Sequence, residues 1–200
     1  MAKQLGFHVD AAFCAGCNTC QVACKDRSSL AFGQRFRKVV KYEDGEWAKV
    51  GNTWQQNVSA YWLSISCNHC ADPACVKVCP TGAMHKREED GIVMVDQEKC
   101  VGCQSCVMAC PYDAPQFNPE IGKVGKCDLC ADRLAEGMRP VCVDACPYQL
   151  ISFGEIEELE REKGGTNWIK GLVDPNRTEP SLRINPPRGA MSSPVGRNTK

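Results

Sequence analysis

The sequence predicts an α+β fold made of two small tandem modules, and three observations carry that prediction. Sixteen cysteines among 200 residues sit in four compact groups. Short apolar or β-branched runs flank and separate the groups, which favours brief strands over long helices. With six Phe, four Tyr and four Trp, the chain has few large rings for a core of this length, although a hydrophobic fraction of 43% belongs to an ordered protein. Small cores of this kind are held by staples, and the spacing of the cysteines decides which kind.

Taken in order, residues 7–9 form a short strand ahead of the first group, Cys14, Cys17, Cys20 and Cys24. The second group is Cys67, Cys70, Cys75 and Cys79, and the third is Cys100, Cys103, Cys106 and Cys110. Between those two, residues 83–87 and 92–95 read as the arms of a hairpin turning at Glu89-Asp90-Gly91. The fourth group is Cys127, Cys130, Cys142 and Cys146, followed by a strand over 150–153 and a short polar helix over 155–163 closed by Gly164-Gly165. The tail from Thr166 is rich in proline and basic residues without an apolar period, so it is expected to be extended, either disordered or laid along a partner.

Groups one and three fit C-x2-C-x2-C-x3-C, the spacing of bacterial-type ferredoxins; groups two and four widen the second gap and keep the final C-x3-C. Three cysteines at short steps wrap a loop around one cubane cluster, while the fourth, a helical turn further on, reaches a different cluster. Two groups must then exchange their fourth ligands. A four-residue helical step covers only about 6 Å, and a fully extended one about 14 Å, so the paired clusters are near neighbours, which suits electron tunnelling.

The strands at 7–9 and 150–153 suggest that groups one and four pair across the chain, with the unit of groups two and three inserted between them. The competing pairing, one with two and three with four, stays open. On the first pairing, Cys14, Cys17, Cys20 and Cys146 hold cluster one, and Cys24, Cys127, Cys130 and Cys142 hold cluster two. Cys79, Cys100, Cys103 and Cys106 hold cluster three, and Cys67, Cys70, Cys75 and Cys110 hold cluster four. The chain then divides into a module of 1–26 plus 116–154, an insertion at 27–62 facing a partner, a second module at 63–115, and a helix and extended tail at 155–200. Structural zinc is the alternative, but it leaves the third closely spaced cysteine of groups one and three without a task. A disulfide framework is disfavoured because cysteines three apart rarely bridge.

The connecting segment 25–66 carries Trp47, Trp54, Tyr61 and Trp62, rings that either pack over the clusters or face a partner protein. His69, inside the Cys67–Cys70 gap, is expected to pack against cluster four or donate a hydrogen bond near it. His85, followed by Lys86 and Arg87, is either a solvated hairpin edge or part of a quinol-side site, and His8 is structural. Lys plus Arg equals Asp plus Glu at 24 each, so no field points to nucleic acid. Sixteen thiolates around four cubane cores would leave the assembled protein at roughly −8. No apolar run is long enough to span a bilayer, and the absence of an Arg-Arg pair means that export in folded form would require a partner carrying the twin-arginine signal. No Rossmann glycine pattern and no nucleophile beside a base suggest catalysis by this chain alone.

Four groups in this order, with CNHCADPACVKVCPTGAMHKRE in the middle and CPYDAPQ after the third, resemble the iron-sulfur electron-transfer subunits of the dimethyl sulfoxide reductase family of complex iron-sulfur molybdoenzymes. The resemblance runs from about Gly6 to Phe153. It implies four [4Fe-4S] clusters wired between a quinol-oxidising integral membrane anchor and a catalytic subunit holding a molybdopterin (bis-MGD) cofactor. It also implies a complex bound to a prokaryotic cytoplasmic membrane through its partners, on a side the sequence does not fix. The pair of groups one and four would face the catalytic subunit and the pair of groups two and three the anchor, with electrons running through clusters four, three, two and one. A formate dehydrogenase or hydrogenase subunit, with the opposite flow, is the alternative within electron transfer.

Overall fold

A computed structural model describes residues 3–187 and 190. The chain opens with β1 (Leu5–Asp10), which leads into the first cysteine loop and α1 (Thr19–Arg27). Lys25 and Arg27 in the last turn of α1 complement its C-terminal dipole. The insertion supplies β2 (Lys38–Asp44), β3 (Trp47–Val50), β4 (Thr53–Gln56) and β5 (Ser59–Ile65). The second module follows as α2 (Ala74–Lys77), β6 (Met84–Lys86), β7 (Val93–Val95) and α3 (Ser105–Ala109). Next come the hairpin β8 (Gln116–Asn118) and β9 (Lys123–Gly125), then α4 (Ala131–Ala135) and α5 (Val141–Asp144). The chain continues through β10 (Ile151–Glu155), α6 (Ile156–Lys163), a single 3-10 turn at Pro175–Arg177, and β11 (Leu182–Asn185).

The strands before group one and after group four do meet: β1 and β10 are antiparallel, with Phe7 opposite Phe153. The hairpin between groups two and three forms as β6 and β7, with Lys86 opposite Val93. Helix packing follows the same division, since α1 packs on α5 and α2 on α3. The helix over 156–163 ends at Gly164, whose φ of 66° places it in the left-handed region that glycine enters without strain.

Three features differ from the sequence reading. First, the tail over 166–187 is neither disordered nor free. Strand β11 runs parallel to β1 and makes it the central strand of the sheet β10-β1-β11, which is why β1 is buried almost throughout rather than alternating. Ile169 and Ile184 are fully buried, and Tyr61 Oη donates to Lys170 O at 2.8 Å, so apolar positions too irregular to show a period close the main core. Residues 188–189 and 191–200 of that expected tail lie outside the described residues.

Second, the insertion is a sheet. Strands β2 and β5 pair over seven residues, Tyr42 stacks on Tyr61 with centroids 5.1 Å apart, and β3 and β4 continue as a second ribbon whose residues are all exposed. The four rings divide: Tyr61 is buried and Trp62 lies over the group-one loop, whereas Trp47 and Trp54 are exposed. Third, residues 116–125 pack against the second module rather than the first. Val124 joins Met84, Val93 and Cys106 in one core, with Phe117 against it.

Candidate functional site

The four cysteine loops share one backbone device. In each, the residue before the second cysteine has a positive φ: Gly16 at 70°, His69 at 42°, Gly102 at 69° and Leu129 at 59°. The left-handed step curls the loop so that successive cysteines can face a common volume. Glycine makes that step freely, whereas His69 and Leu129, both fully buried, are held in it by packing. Groups one and three match further, because Asn18 at 62° and Gln104 at 63° repeat the step just before α1 and α3.

Cys14, Cys17, Cys20 and Cys146 line one cavity with Val9, Val39, Leu150 and Ile151. Cys79, Cys100, Cys103 and Cys106 line another with Met84, Val95 and Val124. The Cys24 thiol is pushed up to about 12 by burial and by its neighbours Cys127, Cys142 and Cys130. Burial raises the Cys75 thiol to about 12 as well, with Cys67, Cys110 and Cys70 among its neighbours. The fold thus assembles Cys24, Cys127, Cys130 and Cys142 in one place and Cys67, Cys70, Cys75 and Cys110 in another.

The sets do not stand in the order one, two, three, four. Cys20 of the first set feels Cys142 of the second, and Cys127 of the second feels Cys67 of the fourth, with which it shares a buried cluster around Ala114. Cys75 of the fourth set shares a core with Cys79, Cys100 and Cys106 of the third. The spatial order is therefore one, two, four, three, which corrects the order expected from the resemblance. The reason is packing: Cys67 and Cys127 share a buried cluster with Ala114, and Cys110 packs against it, so the set of Cys67 and Cys110 adjoins the set of Cys127.

Burial follows the same order. All four thiols of the second set are buried, and the first and third sets, at the two ends, each carry one exposed cysteine, Cys17 and Cys103. Next to these, Thr19 and Ser105 lie 3.4 and 3.5 Å from the sulfurs, and their hydroxyls lower the two thiols. Backbone N–H groups of Met84, Leu129 and Leu150 donate to Cys79 Sγ at 3.3 Å, Cys127 Sγ at 3.4 Å and Cys146 Sγ at 3.4 Å. Such donors stabilise a sulfur that carries negative charge.

The donor sets fit cubane clusters better than single ions. A tetrahedral zinc at about 2.3 Å from each sulfur would draw the thiols almost into contact. Among the described residues no three His, Cys, Asp or Glu groups converge in that way, and the thiols of the first and third sets stand instead around cavities with apolar walls. Buried nitrogens beside the sets also lack a partner, Arg37 Nε and His69 Nε2 among them.

His69 accepts from Val93 N at Nδ1, 3.0 Å away, and burial holds its pKa well below the ordinary histidine value. The ring is therefore neutral with its proton on Nε2, a donor inside the group-two loop. His85, Lys86 and Arg87 do not form a free basic cluster. Lys86 Nζ donates to Cys70 O and Ala71 O at 3.0 Å each, Arg87 pairs with Glu89 and Asp90, and His85 alone is exposed.

Residues that the cysteine pattern could not reveal complete the site. The tail crosses the group-two loop: Ala71 N and Asp72 N donate to Glu179 O and Thr178 O at 2.8 and 3.1 Å, and Ser181 Oγ donates to His69 O at 3.0 Å. Thr178 Oγ1 stands 3.4 Å from Cys70 Sγ. Lys126, buried and adjacent to Cys127, donates to Cys127 O at 2.8 Å and to Val93 O.

Four loops of one design, each closed by a cysteine from another group, define a multi-cluster iron-sulfur protein of the ferredoxin type. Comparison with known proteins narrows the class. A 4Fe-4S dicluster domain model matches residues 58–156, and a 4Fe-4S binding domain model matches 13–31. The B subunit of the anaerobic dimethyl sulfoxide reductase of Shigella flexneri is 50% identical over 199 residues, covering 100% of this protein and 96% of the relative. Its counterpart in Escherichia coli strain K12 is 49% identical over the same lengths. The thiosulfate reductase electron transfer subunit PhsB of Salmonella typhi is 42% identical over 152 residues, 75% of each protein. The protein belongs to the family of anaerobic dimethyl sulfoxide reductase B subunits. It is an iron-sulfur electron-transfer subunit of an oxidoreductase complex, not catalytic alone. No helix among the described residues is long and apolar enough to cross a membrane.

Proposed function

We propose that the protein carries four [4Fe-4S] clusters in the four cysteine sets and relays electrons between a quinol-oxidising membrane anchor and a molybdopterin (bis-MGD) catalytic subunit. The observation that carries this reading is the burial gradient, with shielded thiols in the middle and one exposed cysteine at each end, Cys17 and Cys103. A relay needs that asymmetry, because electrons must enter and leave at the surface while the interior excludes water.

When bound, the clusters supply one-electron carriage at low reorganisation. The protein's own residues fix their spacing, shield them and donate hydrogen bonds to their sulfurs. His69 belongs to this function through its unpartnered Nε2–H beside the fourth set. His85, exposed on the β6–β7 hairpin, remains a candidate quinol-side group.

Both ends carry apolar side chains that a partner would cover. Tyr148, 61% exposed, lines the first cavity and Phe13, 71% exposed, lies just before Cys14; Val101, 65% exposed, lines the third. In this reading the first-set end meets the catalytic subunit and the third-set end the anchor, with the assembly at a prokaryotic cytoplasmic membrane; the likeness to subunits of multi-subunit reductases supports it. Elemental analysis of the complex purified anaerobically through a tag on this subunit tests the proposal. Iron near sixteen per copy beyond the partner's own, with about one molybdenum, is the expected result. Zinc in place of iron would overturn it, and iron without molybdenum or tungsten would move the protein to a hydrogenase.

A further inference from the structure

Arg37 is 1% exposed, the largest of the fully buried side chains. Its Nη1 donates to Ser64 Oγ at 3.0 Å and to Ser64 O at 3.3 Å, its Nη2 donates to Ser66 Oγ at 3.0 Å, and its guanidinium carbon lies 4.6 Å from the Phe7 ring centroid. Ser64 Oγ in turn shares a hydrogen bond with Cys20 Sγ at 3.2 Å, so the guanidinium reaches the first set through one hydroxyl. It also lies near Cys142 of the second set, whose thiol its charge acts to lower against the larger upward push of burial. The charged groups acting on it most strongly are all thiols, Cys142, Cys127, Cys20 and Cys24.

A buried cation without a counter-charge is strongly disfavoured, and serines, a carbonyl and a ring offer dipoles but no charge. We propose that Arg37 is a fixed counter-charge shared by the first and second cysteine sets, where it favours the reduced form of both clusters and keeps their potentials close together. This inference rests on the four-cluster reading of the cysteine sets. Each cluster takes up one electron, no bond changes, and Arg37 keeps its proton throughout, since a guanidinium does not titrate in the working range. Its orphaned Nε–H is the donor left for a cluster sulfide.

The test is an EPR-monitored redox titration of the whole complex, with iron and spins counted for each variant. In Arg37→Gln, two of the four clusters become at least tenfold harder to reduce, about 59 mV for a one-electron couple. The other two do not move. The displacement is the same at pH 6 and pH 8. Arg37→Lys, which keeps the charge, recovers most of it, and Ser64→Ala moves the first-set cluster alone. Full iron with four unmoved midpoints in Arg37→Gln would overturn the proposal, and so would an Arg37→Lys shift as large as that of Arg37→Gln. If Arg37→Gln fails to load iron, Ser64→Ala decides, and unmoved midpoints there would overturn the proposal. A wild-type count below four clusters would sink the cluster assignment itself, a different failure from unmoved midpoints.

Discussion

Gly102 is where the third cysteine loop meets the β8–β9 turn, and substitution there separates loop geometry from packing. Its φ is +69°, and a Cβ would fall 2.1 Å from Gly122 O and 3.2 Å from the Phe117 ring. Gly122 makes a control, with φ of +66° and nothing within 4 Å of its Cβ position. Alanine in the left-handed region costs about 1–2 kcal/mol, and that is the whole effect expected of Gly122→Ala. Gly102→Ala carries the same term plus a clash against a backbone carbonyl that no rotamer change relieves. Loop and turn must part by roughly an ångström to reach a 3.0 Å contact, and forced overpacking of this kind adds about 1–3 kcal/mol.

A total of about 2–5 kcal/mol falls on the loop holding Cys100, Cys103 and Cys106, at the exposed end of the array. The assay is iron per copy in anaerobically purified complex, followed by the rate of iron loss to a chelator. Gly102→Ala should hold about twelve irons in this subunit instead of about sixteen, or lose about four of them much faster, while Gly122→Ala stays near the wild type. Equal iron content and equal loss rates in the two variants would refute the idea that the β8–β9 turn fixes this loop.

Three further outcomes follow from the same structure. Ile184 on β11 is packed on all sides and closed to water, so Ile184→Ala should cost about 2–5 kcal/mol and lower the apparent melting temperature of the complex by at least about 4 °C. Trp47 and Trp54 are 62% and 64% exposed on the β3–β4 ribbon, so replacing both with Ala should leave stability within about 0.5 kcal/mol while reducing co-purification of a partner subunit, read by quantitative pull-down. Burial in β1 pushes His8 below its ordinary value of 6.5, with Lys163 adding to the shift and Asp10 opposing it. The unfolded chain therefore takes up a proton first. Stability is full above about pH 6.5 and falls on acidification by up to about 1.4 kcal/mol per pH unit, until the lowered folded value is reached. In His8→Gln that slope should disappear from melting curves taken between pH 7.5 and 5.5.

By itself the sequence determined what local chemistry dictates. Cysteine steps of three and four residues are a covalent ruler, and with the turn at Glu89-Asp90-Gly91 and the paired glycines after Lys163 they fix loops, hairpin and helix end without reference to anything distant. Gly16 and Gly102 mark left-handed steps in the same way, whereas His69 and Leu129 make them only because the folded protein packs around them. Long-range placement was decided by the tertiary structure. The tail becomes β11 because Leu182 and Ile184 find an open edge beside β1, and two apolar residues in a proline-rich stretch carry no period that announces a strand. The order of the cysteine sets depends on which sets abut around Ala114, a contact set by packing between modules and not by spacing within them. Arg37 looks like any other basic residue in its stretch of sequence until the fold removes its water and surrounds it with thiols, because the meaning of a charge lies in its neighbours and not in its place along the backbone.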